Sequence, residues 1–266
     1  MNRVTEAIHP VPADFDADIG PAELAALHAA ANNDPDAFWL DQARRLDWDR
    51  FPKVAGDWSF DKAFEIYVAD LSGKILKKLV DSPGYDAEAT ISPRGDRIVF
   101  TSDRDGDLEI YSMKLDGSDL KRLTSEPGYD GGAFYSPDGS RIIYRGSRTE
   151  DYRALQVYVM NADGSEKRQL TSGGGTSFAP SWHPDGKRIV YCSNSGAPAD
   201  NRGDFDLYLL EVDAAGGGGA VKLTDYPGFD GFPVFSPDGR KLVFSSNREG
   251  ASPYQTSIFI ADFVEP

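Results

Sequence analysis

The chain has 266 residues, 40% hydrophobic and 27% charged, with a formal net charge of −15. That length is enough to bury a full core. The charge argues against nucleic acid, whose phosphates it would repel, and favours a protein or peptide partner with a basic patch. The single cysteine, Cys192, excludes an internal disulfide, and no apolar run is long enough for a membrane helix, so membrane insertion is not expected.

Residues 1–20 are polar and read as a flexible N-terminus. Met1–Ala17 lacks the apolar stretch of a secretory signal, which points to the cytoplasm if the chain is complete. Residues 21–61 read as a small α-helical segment. Leu24 and Leu27 have helical spacing in an alanine-rich stretch. Asp34 is a good N-cap with Pro35 behind it, and Phe38, Leu40, Ala43 and Leu46 supply an apolar face.

From 62 to 266 the chain repeats. Ser92-Pro93-Arg94-Gly95 recurs as Ser136-Pro137-Asp138-Gly139, His183-Pro184-Asp185-Gly186 and Ser236-Pro237-Asp238-Gly239, at spacings of 44, 47 and 53 residues. Proline presets one φ of this turn and glycine accepts φ > 0, so the chain reverses tightly. Each copy then runs through a second strand such as Arg141-Ile142-Ile143-Tyr144 and a third such as Leu155–Met160. A turn at Ala162-Asp163-Gly164 leads to a short fourth strand ending at Leu170-Thr171. Cys192 follows an apolar run and is expected on a buried strand. Four strands per unit at a period of roughly 40–50 residues is the signature of a β-propeller blade. The fold class is therefore all-β, a β-propeller of about four four-stranded blades, preceded by the helical segment. Seventeen strands are predicted from 62 to 266, leaving the arc open or completed by a partner. Its exposed blade edges would allow self-association.

The run Tyr158-Val159-Met160-Asn161-Ala162-Asp163-Gly164-Ser165, with the Leu-Thr ends and Pro-Asp-Gly turns, resembles the TolB-type, WD-like propellers of bacterial periplasmic proteins over residues 62–266. That resemblance implies a protein-binding platform and a periplasmic location. Some relatives gate a peptidase, which leaves an accessory propeller for a separately encoded peptidase or other hydrolase as an alternative. Such propellers usually have six blades, and this chain has fewer. Residues Phe38-Trp39, Gln42-Ala43, Leu46-Asp47-Trp48, Val54 and Trp58-Ser59-Phe60 resemble the N-terminal leader of acetyl-CoA synthetases. The adenylate-forming core that follows in that family does not follow here, so no activity is carried over.

No catalytic motif stands out. His9, His28 and His183 are far apart, and His183 occupies the serine position of the repeat turn. Ser172-Gly173-Gly174-Gly175-Thr176 lacks the lysine of a phosphate loop. Asp103-Arg104-Asp105-Gly106-Asp107 lacks the spacing and distal glutamate of a calcium loop. No cofactor or metal is expected, and a metal-dependent propeller hydrolase or lyase is the least favoured reading. The candidate ligand- and protein-binding residues lie where each first strand begins: Tyr85, Asp86 and Glu88; Tyr129 and Asp130; Ser177 and Phe178; Phe229 and Asp230. Aspartates at one offset, each behind an aromatic residue, predict an acidic, aromatic-lined channel mouth. The expected function is non-catalytic recognition of a protein or peptide there.

Overall fold

The computed structural model describes residues 64–149, 154–197, 203–213, 219–250 and 255–264. The expected flexible N-terminus and helical segment lie outside these residues. The chain divides into two compact units, one including Tyr85–Pro266 and the other Pro10–Gly84. All regular structure among the described residues is β.

In the smaller unit, β1 (Tyr67–Ala69) pairs antiparallel with β2 (Ile75–Lys78). Asp70 closes the connecting turn by accepting the Ser72 and Lys74 backbone N–H groups at 2.9 and 3.1 Å. Glu65 pairs with Lys78 at 2.8 Å.

The larger unit holds four antiparallel sheets in chain order. The first contains β3 (Asp86–Ile91), β4 (Arg97–Ser102), β5 (Glu109–Lys114) and β6 (Lys121–Arg122). The second contains β7 (Asp130–Tyr135), β8 (Arg141–Gly146), β9 (Gln156–Asn161) and β10 (Arg168–Gln169). The third contains β11 (Ser177–Trp182), β12 (Arg188–Ser193), β13 (Asp206–Glu211) and β14 (Val221–Lys222). The fourth has three strands, β15 (Asp230–Phe235), β16 (Lys241–Ser246) and β17 (Ser257–Asp262). The strand count, the strand order and the meander within each sheet match the sequence pattern.

Alternation along the strands explains why the sheets stack. In β8, Ile142 and Tyr144 join Val99 and Ile110 of the first sheet, while Ile143 between them joins Trp182 and Ile189 of the third. A third apolar layer places Val190, Cys192 and Leu207 against Phe235, Leu242 and Phe244. Each such side chain stabilises the fold by about 1.5–3 kcal/mol on full burial. Burial also pushes the Cys192 thiol up to about 12, so it behaves as a small apolar residue. The first strands β3, β7, β11 and β15 touch in sequence, and among the described residues the first and fourth sheets of this unit share no contact. The larger unit by itself is thus an open arc.

The repeat turns close as their residues require. Gly95, Gly139, Gly186 and Gly239 take φ of 66°, 71°, 69° and 72°, and each donates its N–H to the first residue of the turn. A Cβ at Gly186 would meet nothing closer than Pro137 Cδ at 3.9 Å, so backbone strain alone sets the cost there. Gly186→Val should destabilise by roughly 1–2 kcal/mol in urea unfolding. Hydrogen bonds from the Ser136 hydroxyl and the Ser140 N–H hold Asp138 down to about 2. For Asp185, burial opposes the shift, but the Lys187 N–H and the Arg188 guanidinium outweigh it, again to about 2. Carboxylates with lowered pKa contribute stability that is fully present above the unfolded value of about 3.9 and is lost as pH falls towards about 2. Urea midpoints across that window should fall for the parent and fall less steeply for Asp138→Asn/Asp185→Asn.

Candidate binding site

Asp86, Asp130 and Asp230 occupy equivalent places at the start of the inner strands, as their common offset predicts, but they do not form an open acidic mouth. All three are buried. Each meets an arginine 18 residues later in its own sheet: Arg104 at 2.7 Å, Arg148 at 2.7 Å and Arg248 at 2.8 Å. The expectation of a solvent-facing acidic ring is corrected by this pairing, which neutralises each carboxylate where it stands.

The arginines are held in turn by aromatic rings. In every sheet of the arc a second-strand ring stacks on a third-strand ring, at centroid distances of 5.9 Å for Phe100–Tyr111, 5.4 Å for Tyr144–Tyr158, 5.7 Å for Tyr191–Tyr208 and 5.8 Å for Phe244–Phe259. These are directly opposed cross-strand pairs. Arg104 lies over Tyr111 at 4.8 Å, Arg148 over Tyr158 at 4.5 Å and Arg248 over Phe259 at 5.3 Å. In the third sheet both ionic partners are replaced together. Ser177 stands for the aspartate and Ser195 for the arginine, and the Ser177 hydroxyl instead meets Ser193 Oγ at 2.9 Å. Ser177 is therefore framework.

The other candidate residues gather in two groups on the inner strands. Glu88 accepts hydrogen bonds from Thr101 Oγ1 at 2.9 Å, the Gly132 N–H at 2.9 Å and the Tyr129 hydroxyl at 3.2 Å, and it pairs with Arg145. Arg145 also donates to the Tyr129 hydroxyl at 2.6 Å, and Tyr85 lies within electrostatic reach of Glu88 and Arg145. Burial would raise the Glu88 carboxyl, but the Arg145 charge and these hydrogen bonds hold it below its usual range. Burial raises the Tyr129 hydroxyl, so it stays protonated. A Cβ at Gly131 would run into the Tyr129 hydroxyl at 2.5 Å, and one at Gly132 would strike the Arg145 guanidinium. The Gly-Gly pair makes room for this cluster.

The second group is aromatic. Phe178 meets Phe205 at 5.4 Å and Phe232 at 5.7 Å, and Phe229 meets Phe205 at 5.9 Å and Phe232 at 6.0 Å. Phe232 is 58% exposed, Val234 55% and Phe134 45%, all on inner strands. Sequence reasoning missed Phe134, Arg145, Phe205 and Val234, and it placed Phe232 in the segment entering the inner strand. One signal was available for Arg145. Its counterparts on the second strands are Thr101, Cys192 and Ser245, all small and uncharged.

Every inner strand also carries a β-bulge, at Glu88, Gly132, Ala179 and Phe232, with φ of 56°, 61°, 49° and 53°. Three of these four residues hold a left-handed backbone without being glycine, strain that tends to gather where function re-aims a side chain.

The acidic loop from Asp103 to Asp107 is used internally. Asp103 accepts the Tyr85 N–H at 2.7 Å, Asp105 the Tyr111 hydroxyl at 2.5 Å and Asp107 the Gly128 N–H at 2.9 Å. No cluster of three or more metal-ligating side chains occurs among the described residues. His183 is a buried turn residue packed on Phe235 at 4.7 Å.

Residues 53–154 match the family model described as the TolB beta propeller domain. Over these residues the chain is similar to TolB propeller repeats. Residues 24–67 match the acetyl-coenzyme A synthetase N-terminus. A 53-residue stretch is 42% identical to the Tol-Pal system protein TolB of Bordetella pertussis, covering 20% of this chain and 12% of that protein. TolB from Acinetobacter baumannii superposes with a TM-score of 0.60 at 23% identity, over 74% of this chain and 45% of that one. A putative TolB from Agrobacterium tumefaciens gives 0.52 at 24% identity, over 76% and 66%. The likeness to the two solved structures is one of fold. The chain spans about an eighth of the length of the curated relative and under half of the A. baumannii chain.

The repeats make the Asp–Arg pairs testable against each other. Burial pushes Asp130 up to about 7 against the pull of Arg148, so the pair is needed most above neutrality. Arg148→Met should cost about 3–5 kcal/mol near pH 8, because it strands a buried carboxylate. Asp130→Ser/Arg148→Ser, which copies the third sheet, should regain most of that loss. A double-mutant cycle in urea measures both. A cost below about 1 kcal/mol for Arg148→Met would put the pair in the class of surface ion pairs.

Proposed function

We propose that this chain is a non-catalytic binding module of the TolB propeller type, periplasmic like the proteins its repeats resemble. It recognises a protein or peptide along the inner strands of the arc. The recognition residues are Tyr85, Glu88 and Tyr129 on the polar side and Phe178 and Phe229 on the aromatic side, extended by Phe134, Phe232 and Val234. The buried aspartates act beneath them as framework.

The observation that carries this reading is the exposure of Phe134, Phe232 and Val234 on inner strands, next to polar groups that already satisfy one another. Exposed apolar anchors beside rigid, desolvated polar contacts are what a protein interface uses at its centre. Glu88 and Arg145 neutralise each other, so their position supports orienting a ligand more than attracting it. The relatives named for the Tol-Pal system are consistent with a protein partner.

The test is selection of peptides from a displayed random library, followed by affinity measurement. Phe134→Ser/Phe232→Ser should weaken the selected peptide about tenfold or more, the scale of an interface hot spot, with the thermal midpoint held. Equal affinity for parent and variant, or no enrichment at all, would overturn the reading.

A further inference from the structure

Three sheets of the arc cover their third-strand ring with an arginine of their own, and the third sheet does not. Ser195 stands where Arg104, Arg148 and Arg248 stand elsewhere, and among the described residues no cation lies over Tyr191 or Tyr208. Tyr111 and Tyr158 are buried beneath their arginines, whereas Tyr208 remains partly open. The ring itself keeps its pose. Tyr208 stacks on Tyr191 at 5.7 Å, its hydroxyl meets the Ser195 side chain, and that oxygen lies 3.1 Å from where a Cβ on Gly196 would sit. Tyr111 bonds the residue equivalent to Gly196, Asp105, in the first sheet. What differs among the described residues is the guanidinium, which the third sheet lacks.

Two carboxylates and the Lys222 ammonium act on this ring. Asp204 and Asp206 both act electrostatically on Tyr208. Asp206 is paired with Lys222 at 2.8 Å. Asp204 has no ion-pair partner among the described residues, and its buried Oδ1 has no hydrogen-bond partner. A buried carboxylate oxygen without a partner is costly, and a cation delivered from outside would relieve it.

We propose that this notch on the third sheet receives an arginine side chain from a protein partner, with the Tyr208 ring beneath the guanidinium and Asp204 beside it. Guanidinium is the favoured cation because the three sister sheets each place one on the equivalent ring, and because its flat face suits stacking better than an ammonium. The inference rests on reading the arc as a protein-binding surface and adds the chemistry of the partner. The net charge of −15 would draw such a partner in.

The experiment titrates argininamide into the full chain and follows the Tyr208 ring resonances by NMR, assigned by their loss in Tyr208→Leu. Argininamide should shift them saturably. Citrullinamide, which has the shape without the charge, should bind about fivefold more weakly, the worth of an exposed cation–π contact. Ser195 is exposed, so Ser195→Arg should fold normally, lay its own guanidinium on the ring and abolish the shift. Asp204→Asn should weaken argininamide without moving the thermal midpoint downward. Equal binding of citrullinamide, or an undiminished shift in Ser195→Arg, would overturn the proposal. Peptide capture through Phe134 and Phe232 with Tyr208 unmoved by argininamide would overturn the notch alone. A Tyr208 response with no peptide captured would overturn the inner-strand reading alone.

Discussion

A carboxylate buried at the inner edge of a sheet must find a counter-charge within reach, and much of the arc is arranged around that requirement. Asp86, Asp130 and Asp230 each open an inner strand with no solvent to hydrate them. The arginine that answers each one comes from the loop after the second strand, so a single contact ties the first strand to that loop. The guanidinium is itself covered on one side by the stacked rings of the second and third strands. Removing any one layer exposes the next. Ser177 and Ser195 illustrate the rule from the other side, because where the acid is absent the base is absent too.

The same economy appears at the outer edge. Glu65, Glu109 and Asp206 begin their third-strand segments and pair with Lys78, Arg122 and Lys222 of the neighbouring fourth-strand segments. The second sheet carries Gln156 and Gln169 at these positions, and Gln156 accepts the Thr171 hydroxyl at 2.8 Å. Ionic partners give way to amides on both strands at once. Charge at these positions therefore varies between sheets in matched sets. The fourth sheet has Ser257 at the acid position, on a strand whose Ile258 and Ile260 are exposed. No fourth strand is present beside it among the described residues.

The strands were legible because Pro-Asp-Gly turns and alternating apolar residues mark them independently. The equivalence of the three aspartates was legible for the same reason, but their burial was not. An aspartate near a turn has the composition of a solvated residue, and the partner that decides otherwise sits 18 residues further on. Comparing the repeats with one another, rather than reading each as a turn signal, would have linked Asp to Arg through their joint replacement by Ser177 and Ser195. Val234 escaped for a different reason. The bulge breaks the period of two along β15, so counting from Phe229 does not tell which side chains face the interior of the arc. Arg145 was hidden by its place inside a strand that otherwise reads as core.

Packing in the larger unit passes only from each sheet to the next, through three separate apolar layers. A structure joined that way has no central keystone, and its cohesion is a chain of nearest-neighbour terms. Under mechanical load applied between the first and fourth sheets, the tension passes in series through all three layers, the one around Phe235 and Phe244 included. The arc should therefore yield in successive ruptures, one per apolar layer, and its resistance to pulling would be set by its weakest seam rather than by its total stability.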